Sequence, residues 1–421
     1  MKVAIVGSGI AGLTAAHYLQ RQHQVVLFES ACRVGGHTNT VDVMEGDRPI
    51  AIDTGFIVFN QKTYPNFIKL LGDLGVAWTE SDMSFAVHSV ARDFEYSGQS
   101  LSTLFSQRRN LVSPRFLRMV ADIRRFHREG RELVREGSEL PMLPWLRQRG
   151  YSEAFIEDHF FPMLRAVWSA NRDVAEEFPA RFLARFFDNH GFLQIEGAPR
   201  WLTLQGGSRS YVRALLAEFS GEVRLRTPVR AVRRTQDAAW ITADGVGPER
   251  FDHVILACHS DQALGMLTDP SAIERELLSA IPYQTNEAVL HTDASVMPSR
   301  RRTWSAWNVH LDDAGVDGAC LTYWMNRLQP LGAKRDYFVT LNQTAGIDPR
   351  KIIRVERYAH PVFTTEGVKA QTRHEELIDH RNTSYAGAYW RNGFHEDGVV
   401  SALRVVKRLM AARRAPTEVA A

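Results

Sequence analysis

Near its start the chain reads Val3-Ala4-Ile5-Val6-Gly7-Ser8-Gly9-Ile10-Ala11-Gly12, and a little later Val25-Val26-Leu27-Phe28-Glu29. Val3 to Val6 is a short, unbroken apolar run, the pattern of a parallel strand buried on both faces. Leu13, Ala16 and Leu19 then recur on one face of a helix. The second apolar run supplies a neighbouring strand, and Glu29 ends it. Each glycine has a physical task. Gly7 permits the tight turn from strand to helix, Gly9 lets a pyrophosphate approach the backbone, and Gly12 lets the helix pack close to the strand. The helix N-terminus at Ile10 and Ala11 offers free amides and a partial positive charge to phosphate. Glu29 lies where a carboxylate accepts the ribose hydroxyls of an adenosine, and it repels a 2′-phosphate. The spacing therefore predicts a β-α-β unit built around a dinucleotide.

The next residues are Ser30-Ala31-Cys32-Arg33-Val34-Gly35-Gly36-His37, and further on Asp53-Thr54-Gly55-Phe56. The first string resembles the glutamate–arginine–double-glycine extension of the FAD-binding oxidoreductases in the flavin amine oxidase and carotenoid desaturase superfamily. The second resembles that superfamily's short acid–glycine segment beside the flavin. The resemblance implies FAD, with Ser30, Arg33, Gly35, Gly36, His37, Asp53, Thr54, Gly55 and Phe56 among its contacts. It also implies a discontinuous cofactor domain. One return to that domain begins at Leu204-Gln205-Gly206-Gly207-Ser208 and includes Val229, which the resemblance sets against the adenine. A buried parallel strand is expected at Asp252–Cys258.

A second return spans Tyr385 to Gly398, through Gly387, Tyr389, Trp390, Glu396 and Asp397. There a helix N-terminus is expected near Gly398, with the Val399 amide facing the flavin. Gly387 is followed by Ala388, where the superfamily often has an acid. The expected class is α/β, α+β overall. A Rossmann-type FAD-binding domain with a parallel sheet takes residues 1–75, 200–262 and 380–421. A substrate domain with an antiparallel sheet and helices takes residues 76–199 and 263–379.

The strings DTGFIVFN (53–60), YPNF (64–67), MSF (83–85), YWMN (323–326), HPVF (360–363) and GFHEDG (393–398) carry a narrower resemblance. They are similar to a bacterial branch of amine-oxidase-like proteins encoded near cyclopropane-fatty-acid-synthase-like methyltransferases. That resemblance implies a lipid substrate and makes a lipid methyltransferase a candidate partner. The expected reaction is dehydrogenation of an acyl chain with hydride transfer to flavin N5. Amine oxidation, flavin-dependent isomerisation and a non-catalytic accessory role are the alternatives. Tyr389 and Trp390 are candidate rings over the flavin, and His360 and His395 are candidate polar groups for substrate or proton. Trp304, Trp307 and Asn308 are candidate pocket residues.

No cysteine follows Cys320, so FAD is expected to be non-covalent. Three scattered cysteines form neither a disulfide framework nor a metal pair, which favours a reduced, cytoplasmic setting. No set of ligands has metal spacing, and no catalytic metal is expected. The net charge of +3 is too small for a dedicated nucleic-acid binder. Yet Lys supplies only 7 of the 51 basic residues, and the arginines crowd into Gln107 to Arg135. Leu117, Val120, Ile123, Phe126 and Leu133 interleave with them. This reads as a basic amphipathic helix, either a solvated face or a peripheral contact with the inner face of the membrane.

Overall fold

Residues 1–138, 140–168, 179–193, 199–311 and 320–412 are described by a computed structural model. The opening run forms the strand Lys2–Val6, the centre of a five-stranded, all-parallel sheet. Across the sheet the order is Glu222–Arg224, Gln24–Phe28, Lys2–Val6, His253–Leu256 and Thr383–Tyr385. Val3 lies opposite Val25 on one side and His253 on the other. Strand alternation then assigns the two faces. Val3, Ile5, Val25, Leu27 and Ile255 pack under the helices Ile10–Leu19 and His395–Ala412. Ala4, Val6, Val26, Phe28, Val254 and Leu256 pack on a three-stranded antiparallel sheet, Val229–Arg234, Ala239–Ala243 and Val246–Phe251. This double burial explains why the strands read as apolar runs rather than alternating ones. Each buried Val, Ile, Leu or Phe among them contributes roughly 1.5–3 kcal/mol.

A seven-stranded sheet forms the second layer, from Ile352–Pro361 at one edge to Phe94–Ser97 at the other. Its pairings are antiparallel except that Trp307–His310 runs parallel to Phe85–Ser89. Ala288, Tyr323 and Phe338 all lie on strands of this sheet. The string at 323–326 divides between two elements, since the strand ends at Trp324 and Met325–Leu328 is helical. A layer of helices with an aromatic core around Phe126, Phe155, Phe160 and Phe187 covers one part of the molecule.

The basic segment is a helix, Pro114–Glu136, entered through a 3-10 turn at Arg108–Val112. Its apolar stripe is not available to lipid. Phe126 and Leu133 are buried in the aromatic core, and Val120 and Ile123 pack against it. Leu117 alone of the interleaved apolar residues stays exposed. Residues 413–421, assigned from the sequence to the FAD-binding domain, lie outside the described residues.

Candidate functional site

The parallel strands Lys2–Val6, Gln24–Phe28, His253–Leu256 and Thr383–Tyr385 all end at one cavity of about 440 Å³. Gly7, Glu29, Ala257 and Gly387, which follow those four ends, stand in its wall. Ligands of open parallel sheets bind at the carboxyl ends of the strands. A second cavity of about 400 Å³ lies between Val6, Phe28, Pro228 and Val229. The two share Gly7, Glu29, Ser30, Cys258 and Gln262, so they form one elongated slot.

The N-terminal end of the slot fits a dinucleotide. No atom lies within 4 Å of where a Cβ on Gly9 would project, so the backbone there is open to the cavity. Gly9 caps the helix Ile10–Leu19 without a side-chain bond, leaving that helix end free for a ligand. Gly12 behaves differently, since a Cβ on it would sit 1.9 Å from the Gly7 carbonyl oxygen. Glu29 accepts hydrogen bonds from the Ser8 amide (3.0 Å), the Ser8 hydroxyl and the Ala31 amide (2.8 Å), which fix its carboxylate at the slot. The buried His37 Nε2 has no hydrogen-bond partner among the described residues. These features match what the adenosine and diphosphate of FAD require.

Ile10, Ala11, Ser30, Gly35, Gly36, His37, Thr54, Gly55, Phe56, His360, Gly387, Tyr389 and His395 line the main cavity as well. Val229 lines the second. Of the three candidates around Trp307, only Trp307 reaches the wall. Trp304 is buried against Trp324 and Phe338, and Asn308 bonds Ser305 and Thr322.

Eight expected site residues are not on the walls. Gly12 is in the helix–strand contact. Arg33 donates to the Thr38 carbonyl (3.0 Å) and straps the double-glycine loop. Asp53 is fully buried, accepting from Thr40, the amide and hydroxyl of Ser208, and Gln329. Its carboxyl is pushed up to about 6 by burial. Trp390 stacks on His374 with ring centroids 4.3 Å apart, away from the slot. The C-terminal helix begins at His395, three residues earlier than expected. The Val399 amide therefore lies past the first turn's free donors, and its side chain is buried in the core. Gly398 brings the helix against Ile10, whose Cγ2 would be 2.7 Å from an added Cβ. Glu396 accepts from the amides of Asn66 (3.2 Å) and Phe67 (2.9 Å), capping the helix Pro65–Asp73. Asp397 accepts from the amides of Asn392 and Phe394, fixing the loop before its own helix.

The histidines on the wall are neutral donors and acceptors. Burial pulls His360 down to about 4, aided by nearby His259. Its Nδ1 accepts from Asn286 Nδ2 (2.9 Å), which leaves the proton on Nε2. His360 is thus a hydrogen-bond donor rather than a base. His395 stacks on Phe56 at 3.5 Å between ring centroids, and its Nε2 meets Thr38 Oγ1 at 3.1 Å. Burial holds it near 3.

Sequence reasoning missed His259, Tyr283 and Tyr358. Tyr358 hydrogen-bonds Thr54 (2.9 Å) and Asn39 (3.0 Å) at the wall. It precedes His360 by two residues on one strand, so strand alternation pointed to it. His259 follows the carboxyl end of His253–Leu256, where the strand-end rule pointed.

The far end of the cavity is apolar. Ile57, Val58, Met83, Phe186, Trp307 and Leu341 line it, with Phe363, Phe394 and His190, which stacks on Phe186 at 3.9 Å and which burial pulls down to about 4. Glu29 is the one carboxylate on the wall of the main cavity among the described residues, and no Lys or Arg stands there, whereas Arg230 lines the second cavity. No cluster of His, Cys, Asp or Glu among the described residues could hold a metal ion. Nor is any helix among them long and apolar enough to cross a membrane.

The model of the family described as flavin containing amine oxidoreductase matches residues 10–410. A flavin-dependent L-tryptophan oxidase from Lentzea aerocolonigenes is 26% identical over 283 residues, 60% of this chain and 57% of that one. A chloroplastic 15-cis-phytoene desaturase from Narcissus pseudonarcissus is 28% identical over 187 residues, 41% of this chain and 32% of that one. In both cases the match spans less than two thirds of the relative's length. Among solved structures, a fatty acid isomerase from P. acnes that produces CLA superposes with a TM-score of 0.67. The two are 15% identical, and the match covers 96% of this chain and 98% of the isomerase, a likeness of fold.

Proposed function

The chain belongs to the flavin-containing amine oxidoreductases, and from that premise we propose that this FAD-dependent oxidoreductase dehydrogenates the acyl chain of a lipid. The observation that carries the reading is the far end of the cavity, walled by aliphatic and aromatic side chains without a charged group among the described residues. An apolar chain is stabilised there by leaving water, whereas a charged substrate group would be left unpaired. The desaturase relative and the fatty acid isomerase fold support the same direction. Bound FAD supplies the two-electron acceptor. The protein's own residues do the rest. Phe363 and Phe394 exclude water from the apolar end, and the wall aromatics hold a flexible chain in one orientation. His360 and Tyr358, on one face of the same strand, offer hydrogen bonds between that end and the dinucleotide.

The test is anaerobic titration of the purified yellow protein. Fatty acyl lipids are expected to bleach the flavin absorbance, and primary amines to leave it unchanged. Bleaching by amines alone would make the protein an amine oxidase. An altered lipid of unchanged mass, with no net bleaching, would make it an isomerase.

A further inference from the structure

We infer that the outer face of the helix Pro114–Glu136, with the turn before it, docks on an anionic lipid bilayer. This goes beyond the acyl-substrate reading and rests on the chemistry of the surface itself. Since the helix buries its apolar stripe inward, its outward side is what meets a partner. Positions 117, 121, 124, 128, 131 and 135 alternate four and three residues apart, the spacing of one helical stripe. They are Leu117, Ala121, Arg124, Arg128, Arg131 and Arg135, and all six are exposed. Arg124 and Arg135 form no ion pair among the described residues, and Arg131 donates to the His127 carbonyl at 3.0 Å. Arg128 reaches Glu129 only at 4.0 Å, and that carboxylate is held by Arg125 at 2.6 Å. The four arginines therefore span about 17 Å of the C-terminal half of the helix with their charges largely unspent on the protein.

Aliphatic side chains are exposed in the turn before the helix and in its first turn. Leu111 and Val112 are 53% and 81% exposed, and Leu117 is 43% exposed. The turn that carries them is held in place. Ser113 caps the helix, Arg115 and Arg92 both pair with Asp158 at 2.8 Å, and Arg109 pairs with Asp93 at 2.9 Å. A fixed aliphatic tip leading into a helix that carries an arginine stripe suits a bilayer, where the tip enters the acyl region and the arginines meet headgroup phosphates. A second copy of the same face would set arginine against arginine. A nucleic acid would leave the aliphatic tip without a role.

Sedimentation of the FAD-loaded protein with vesicles tests this. Binding is expected to phosphatidylcholine vesicles containing phosphatidylglycerol and not to pure phosphatidylcholine, and it should weaken as salt rises. A variant carrying R124Q, R128Q, R131Q and R135Q, and separately L111S with V112S, should each bind at least about tenfold more weakly. Flavin content and melting temperature should match the parent, because all six positions are exposed. Equal binding to neutral vesicles, or anionic binding unchanged in both variants, overturns the inference. Self-association abolished by the same substitutions would assign the face to a second copy and overturn it too. Flavin bleaching by detergent-dispersed lipid without vesicle binding removes only this inference. Vesicle binding without bleaching removes only the substrate reading.

Discussion

Two glycines three residues apart do opposite things. Gly9 looks into the slot, whereas Gly12 touches the Gly7 carbonyl. Gly9→Trp should therefore fold with an unchanged melting temperature and purify without flavin, since its ring fills the diphosphate space. Gly12→Ala should lower stability by about 1–3 kcal/mol or more, because a methyl cannot fit 1.9 Å from a backbone oxygen. Denaturant melts and released-flavin absorbance separate the two outcomes. If Gly9→Trp retained stoichiometric FAD, the slot would not be the cofactor site. The wall histidines follow the same logic of surroundings over residue type. His360 and His395 read as proton-handling groups in the sequence, yet burial leaves both as neutral partners in fixed networks.

At the scale of elements, Arg234 ties three separate pieces together. Its guanidinium, fully buried, donates to Glu274 at 2.6 and 2.9 Å, to Asp269 at 2.8 Å and to the Thr383 hydroxyl at 3.1 Å. Those bonds join the antiparallel strand Val229–Arg234, the helix Ala272–Ser279 and the parallel strand Thr383–Tyr385. The guanidinium holds the Glu274 carboxyl down near 2 despite burial. Glu274→Ala leaves a buried charge without its main partner and should cost about 3–5 kcal/mol, measured by urea denaturation. A loss under about 1 kcal/mol would mean that the pair is no more than a surface-like contact. The parallel strands and their glycine turn were legible in the sequence because one local run carries both burial and phosphate geometry. The start of the last helix was not. A helix was expected to begin near Gly398, but it begins at His395, and Asp397 bonds the amides of Asn392 and Phe394 from inside its first turn. Glu396 was unreadable for another reason, because the helix it caps begins 331 residues earlier, at Pro65. Contacts at such separation leave no periodic trace. For the same reason the amphipathic stripe at 107–135 announced a helix but not which partner covers its apolar side.

For the whole molecule, burial sets the response to pH. His159 and His395 are held near 3, and His190, His253, His291, His360 and His374 near 4. A histidine kept below its ordinary value stabilises the fold fully above about 6.5, and that contribution is lost as pH falls toward 4. Asp53 and Asp397, raised to about 6, act oppositely: their contribution is present in acid and lost as pH rises through 6. Each group is worth about 1.4 kcal/mol per pH unit within its window, so seven histidines outweigh two aspartates. The melting temperature should be highest above pH 7 and fall steeply between 6.5 and 5; a rise over that interval would contradict the balance. The order of strands in the parallel sheet has a consequence in time. Lys2–Val6 gains its neighbour Gln24–Phe28 early in synthesis, but the partner on its other edge is His253–Leu256. At roughly 5–20 residues per second, that edge stays open on the ribosome for on the order of ten to fifty seconds. The slot closes later still, when His395 emerges. Flavin is thus captured only after His395 has been translated, and the yield of holoprotein depends on shielding one bare strand edge until then.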